Sequence, residues 1–94
     1  MSRENLLTKN EREYLKVFGS VIKDLRVDVA QKSLRLFAYE NDIPCATLSR
    51  IENGIRIPNL LTLKKIASGF NLDVGEFISR VESRIPSELK TIEI

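Results

Sequence analysis

Arg50 is the only arginine or lysine between Cys45 and Asn53. Its guanidinium holds several N–H donors in one rigid plane, a fork that matches two neighbouring acceptors on a carboxylate, a phosphate or the O6/N7 edge of guanine. Thr47 and Ser49 add hydroxyls beside it, and Ala46 with the Thr47 methyl offers small apolar surface that suits a thymine methyl. Farther along, Asn53, Arg56 and Asn59 are donors of the kind that meet phosphate oxygens.

Other chemistry has little to work with. The chain has no histidine and a single cysteine, Cys45, so an internal disulfide is impossible and zinc, haem or a His-based triad lacks its ligands or bases. With no paired acid and base, phosphate-cradling glycine loop or metal cluster, no catalytic residue, cofactor or metal site is expected, and an enzyme is the least favoured class. Cys45 itself invites a redox switch, because its oxidation would alter the surface around Arg50, but a small residue that fits its place is the favoured reading.

At 94 residues the chain is about one domain long. A hydrophobic fraction of 43% with charges of both signs describes an ordinary folded domain. Met1 to Thr8 lacks the apolar run of a signal peptide, and no stretch approaches a membrane span, so a soluble, cytoplasmic protein without a membrane partner is expected. The net charge of +2 says little, but its distribution says more. Glu4, Glu11 and Glu13 lie near the start, whereas Cys45 to Lys65 carries Arg50, Arg56, Lys64 and Lys65 against Glu52 alone. An anionic partner should meet the middle of the chain.

The elements that must position these residues follow from periodicity and caps. From Glu11 to Val29, Leu15, Phe18, Ile22, Leu25 and Val29 step by three and four, which predicts a first, extended helix with one buried face. Gly19 within it reads as a close approach to another helix. Ser33 can cap a second helix, Leu34 to about Asn41, with Phe37 and Ala38 inward and Arg35 and Glu40 in water. Asn41 and Asp42 suit left-handed backbone and Pro44 suits a new helix start, so a tight turn leads into a third helix from Cys45 to Glu52 that stops at Asn53-Gly54. Asn59 can cap a fourth helix carrying Leu60, Leu63, Ile66, Ala67 and Phe70. Asp73 with Glu76 forms a capping box for a fifth, carrying Val74, Phe77, Ile78 and Val81. The expected fold is an all-α, five-helix bundle, with residues 1–10 a flexible start, 11–85 the folded domain and 86–94 a short tail.

The second and third helices, joined by a tight turn, form a helix-turn-helix, in which the second member can enter the major groove of DNA. Helical projection turns Leu48, Ile51 and Glu52 inward and Ala46, Ser49, Arg50 and Asn53 outward, with Cys45 and Thr47 on the flanks. Phe37-Ala38-Tyr39-Glu40, Ile43 and Leu48-Ser49-Arg50-Ile51-Glu52-Asn53-Gly54 resemble the phage repressor and Cro-type (XRE-type) family of helix-turn-helix transcriptional regulators. The similarity runs on through Arg56, Pro58, Leu63 to Ala67 and Asp73 to Phe77, and begins near Phe18.

The resemblance implies base-edge contacts at Cys45, Ala46, Thr47, Ser49 and Arg50, a phosphate contact at Asn53, and a structural ion pair between Glu52 and Arg26. Two departures stand out: Leu34 replaces the glutamine that usually opens the second helix, and the link from Arg26 to Ser33 is one residue longer than usual and has no glycine. Leucine cannot hydrogen-bond as that glutamine does, so the contact is expected to be either missing or replaced by Ser33, Lys32 or Arg35.

Double-stranded DNA is therefore the expected partner, with no small-molecule ligand evident. Proteins of this type commonly pair, so a homodimeric repressor on a near-palindromic operator is expected, with Val81, Ile85, Leu89, Ile92 and Ile94 as the pairing surface because they exceed what a five-helix core should absorb. The alternative is an antitoxin-like or other protein-interaction module whose DNA binding is secondary.

Overall fold

The computed structural model describes residues 6–90 of the chain. Among them are six α-helices, one π-helical turn and no strand: α1 Lys9–Leu25, the π turn Arg26–Ala30, α2 Leu34–Glu40, α3 Cys45–Glu52, α4 Leu60–Gly69, α5 Val74–Glu82 and α6 Ser87–Lys90. The all-α fold is that expected from the sequence. α1 is its spine and touches α3, α5 and α6, while α2 packs on α3 and α4 on α5.

Local chemistry sets the helix starts. Thr8 and Glu11 form a reciprocal capping box, in which Thr8 Oγ1 accepts from the Glu11 N–H at 3.1 Å and Glu11 Oε1 from the Thr8 N–H at 2.8 Å. Thr8 to Asn10, expected to belong to a flexible start, are thus the cap and first turn of α1. Asp73 and Glu76 make the same box at α5, and the bond from the Glu76 N–H is the main reason the Asp73 carboxyl lies below its ordinary pKa. Ser33 and Asn59 cap α2 and α4 through Leu36 N and Thr62 N.

The first helix departs from expectation at its end. α-Helical bonding stops at Leu25, the backbone widens into the π turn, and Gln31 closes it with φ 55°. A π turn accommodates an extra residue. Gln31 supplies the left-handed conformation that a glycine would otherwise favour. The wider turn also shifts the angular phase, so Val29, expected on the buried face, is 59% exposed.

The core gathers Phe18, Val21, Ile22 and Leu25 of α1 with Phe37 and Ala38 of α2, Leu48 and Ile51 of α3, and Ile66 and Ala67 of α4. Phe77 and Val81 of α5 complete it, and Phe77 meets Phe18 edge-on at 6.3 Å between ring centres. Each of the larger side chains among them, the alanines excepted, contributes roughly 1.5–3 kcal/mol through burial. Of the apolar residues expected on α4, Ile66 and Ala67 face the core with Leu63 and Phe70 partly buried beside it, while Leu60 is exposed at the first turn.

The expected pairing surface also needs correction. Val81 is fully buried and Ile85 is 3% exposed, so both belong to the core, and Leu89 packs against it from α6. The bundle absorbs them because the start of the tail folds back as α6 onto α1, a sixth helix beyond the five expected. Ile92 and Ile94 lie outside the described residues. Tyr14 Oη donates to Glu82 Oε2 at 3.1 Å, tying α1 to α5. Burial first, then that bond and the carboxylate's charge, push the phenol up from 10.0 to about 12.

No helix among the described residues is long and apolar enough to cross a membrane.

Candidate nucleic-acid interface

The turn into α3 is held by short bonds that leave its outer face free. Asp42 takes the left-handed conformation with φ 54°, the Ile43 N–H returns to Ala38 O at 2.9 Å, and Asn41 Nδ2 donates to Phe37 O at 2.8 Å. Lys65, reaching across from α4, donates its ammonium to Asp42 O at 3.0 Å. Pro44 precedes the helix in extended backbone, where its missing N–H costs nothing. Leu48 and Ile51 then anchor α3 in the core.

The exit of α3 is fixed by two glycines. A Cβ at Gly19 would overlap the carbonyl oxygens of Ile51 and Glu52, so α1 and the last turn of α3 lie backbone to backbone. Gly54 leaves the helix with φ 73° against the Lys16 backbone, a conformation and a clearance that both demand glycine. The Ile55 and Arg56 N–H groups both return to Arg50 O, at 2.9 and 3.2 Å, which folds the exit loop against the helix.

Arg26 and Glu52 are each only 7% exposed and form a bidentate ion pair, Nε to Oε2 at 2.8 Å and Nη2 to Oε1 at 3.0 Å. Arg26 Nη1 also donates to Lys32 O at 2.9 Å. One guanidinium thereby joins the base of the π turn, the end of α3 and the link before α2. Its hydrogen bond to Glu52 raises its pKa above the ordinary value, with burial opposing. The reading by projection that placed Glu52 on the inner edge of α3 matches this position.

On the outer face Cys45, Ala46, Arg50 and Asn53 are exposed and Thr47 and Ser49 half-buried. They share one side of α3, and Arg56 follows on the loop folded against it. Two of these groups are partly committed. Asn53 Nδ2 donates to Ser49 O at 2.9 Å, so its amide closes the end of the helix and keeps one N–H and its oxygen for a partner. Asn59 Oδ1 caps α4 at 2.8 Å, which leaves its NH2 group.

Ser33 Oγ accepts from the Leu36 N–H at 3.1 Å, so its hydroxyl proton can still be donated outward. Lys32 is engaged with Glu40 at 2.7 Å, while Arg35 is exposed and makes no ion pair among the described residues. Missed in the sequence were the roles of Lys65, which holds the turn, and Gln31, which turns the link; a lysine at helical spacing carries no mark of the carbonyl it will reach.

This face carries the exposed guanidinium of Arg50, with exposed Arg56 on the loop that follows α3. No group of three or more His, Cys, Asp or Glu suited to a metal occurs among the described residues. Residues 38–77 match a family model described as "Helix-turn-helix". The chain is also similar to the control protein C.MunI of Mycoplasma sp, 35% identical over 65 residues that cover 69% of this chain and 88% of that protein.

Proposed function

From its membership of the Cro-type (XRE-type) helix-turn-helix family of DNA-binding transcriptional regulators, to which this chain belongs, we propose that it is a homodimeric repressor reading the major groove with α3. The observation that carries the reading is the division of α3 into a buried face, Leu48, Ile51 and Glu52, and an outward face bearing Cys45, Ala46, Thr47, Ser49, Arg50 and Asn53.

Arg50 takes the paired acceptors of a guanine. Ala46 and Thr47 lie against thymine methyls, with Cys45 and Ser49 at the margins of the same base pairs. Ser33, Asn53, Arg56 and Asn59 hold the flanking phosphates, each with the donors its cap or helix end leaves over. With so few polar readers on α3, DNA shape contributes to selectivity alongside direct contacts.

Two copies place their reading helices in successive major grooves about 34 Å apart on a near-palindromic operator. Bound over a promoter in the cytoplasm, the dimer represses by occupying the site that polymerase needs. The control protein C.MunI supports the regulatory part of this reading.

The test is an anisotropy titration of wild type and Arg50→Ala against a duplex selected from a random library. Arg50→Ala should lose about 1–3 kcal/mol of affinity for that duplex and discriminate less at one base pair. Equal binding by the two proteins, insensitive to salt, would count against DNA reading and for a protein-interaction module.

A further inference from the structure

Asn53 is the asparagine of this chain that glycine follows; the others precede leucine, glutamate or aspartate. Asparagine is thermolabile because the next backbone nitrogen can attack its side-chain amide, and a following glycine, with no Cβ, hinders that approach least. Asn53 is also exposed, at the end of α3 on its DNA-facing side.

We propose that Asn53-Gly54 is a self-modification site, at which loss of ammonia converts the chain into a form that releases DNA, and that bound DNA guards it. The release and the guarding rest on the DNA-binding reading above; the chemistry does not.

In the first step Gly54 N gives its proton to water or hydroxide and bonds to Asn53 Cγ. The Cγ–Nδ2 bond breaks and the amide nitrogen leaves as ammonia, which closes a cyclic imide. Water then opens the ring. Opening at Cγ leaves aspartate, and opening at the main-chain carbonyl leaves isoaspartate, in which the backbone runs through the former side chain. Water is consumed, ammonia is released, and nothing is oxidised or reduced.

The fold holds the reacting atoms apart. Asn53 Nδ2 donates to Ser49 O at 2.9 Å, which draws the amide back along α3, and the Gly54 N–H donates to Ile51 O at 3.0 Å. Both bonds must open before the nitrogen meets Cγ. That opening is a fraying of the last turn of α3, which needs far less free energy than unfolding the core. Ammonia loss in the folded chain therefore runs at a rate set by fraying, below that of an unfolded chain. A DNA phosphate held by the second Nδ2 proton pins the same amide and slows it again.

Either product spoils the site. Aspartate cannot donate to Ser49 O, places a negative charge at the negative end of the helix dipole, and repels phosphate. Isoaspartate lengthens the main chain just before Gly54, which already lies so close to the Lys16 backbone that a Cβ would not fit. A copy free in solution thus ages faster than one on its operator.

The experiment incubates folded wild type alone, folded wild type with excess library-selected duplex, and wild type unfolded in urea, all at one mildly alkaline pH. Peptide mapping by mass spectrometry follows the amide-to-acid mass shift residue by residue, and anisotropy follows affinity. The free folded chain should convert at Asn53 before any other asparagine, roughly ten- to a hundredfold more slowly than in urea because the hydrogen bonds must open together. Excess duplex should slow it further. Affinity should fall in step with conversion, and Asn53→Asp, made directly, should bind the duplex on the order of tenfold more weakly than wild type. Asn53→Gln, whatever its starting affinity, should keep it through the same incubation.

No conversion of the free folded chain while the urea sample converts, earlier conversion at another asparagine, or a folded rate equal to that in urea overturns the proposal. So does Asn53→Asp binding as tightly as wild type, or an equal rate with and without bound duplex. If wild type binds no selected duplex yet converts slowly at Asn53 when folded, the DNA reading falls with the guarding, while the modification site stands.

Discussion

Gly19 of α1 and Ile51 of α3 meet backbone to backbone, with no room for a Cβ between the glycine and the Ile51 carbonyl oxygen. The obstacle is backbone, which cannot swing aside as a side chain would. Gly19→Ala, which in an open helix would gain about 1 kcal/mol, should here destabilise the domain by about 1–3 kcal/mol. Thermal melts measure that cost, and a melting temperature at or above wild type would contradict the close approach.

Removing one partner of the Arg26–Glu52 pair leaves the other charge buried. Arg26→Met should cost about 3–5 kcal/mol in urea unfolding. Arg26→Met with Glu52→Leu should recover much of the loss, because no charge is then stranded. A double variant no more stable than the single one would show that the guanidinium matters mainly through Lys32 O.

Gln31 holds φ 55°, a conformation that disfavours side chains. Gln31→Gly should relieve that cost while leaving the unfolded chain freer, for a net gain of about 0.5 kcal/mol. A small rise in urea midpoint with unchanged slope is the expected reading.

Arg56 touches phosphate rather than a base edge in the proposed complex. Arg56→Ala should weaken binding nearly equally across duplex sequences and lower the slope of log affinity against log salt by about one. Loss confined to one base pair would instead make Arg56 a base reader.

Tyr14 carries a folded pKa of about 12 against an ordinary 10.0. Because the folded state holds the proton more tightly, the stabilisation is fully present below pH 10.0 and is lost as pH rises towards about 12. In a Tyr39→Phe background the remaining tyrosine should titrate late by ultraviolet absorbance, and Glu82→Gln should bring it earlier. Titration of that single tyrosine near 10.0 in the folded protein would exclude the α1–α5 tie.

Much of the reading element was legible because its borders are chemical. Ser33, Asn41-Asp42, Pro44 and Asn53-Gly54 each have backbone preferences that few other conformations satisfy, and α3 has the predicted bounds, Cys45–Glu52. The π turn was not legible, since Val29 continues the apolar spacing of α1 and the widening that turns it outward leaves no trace in composition. Counting apolar residues assigns Val81 and Ile85 to a pairing surface because a count does not reveal how many a core can enclose; the answer depends on α6 folding back. The partial commitment of Asn53 to Ser49 O depends on a rotamer, which spacing alone does not specify.

The residues that hold α3 in place and those that face outward from it form separate sets. Leu48, Ile51, Glu52 and the Gly19 contact fix the helix, while Cys45, Ala46, Thr47 and Arg50 take no part in the core. The scaffold can therefore be recoded: a library randomised at those four outward positions should yield proteins of nearly uniform stability and widely different operator preference, letting lineages change their regulatory targets without first having to repair their fold.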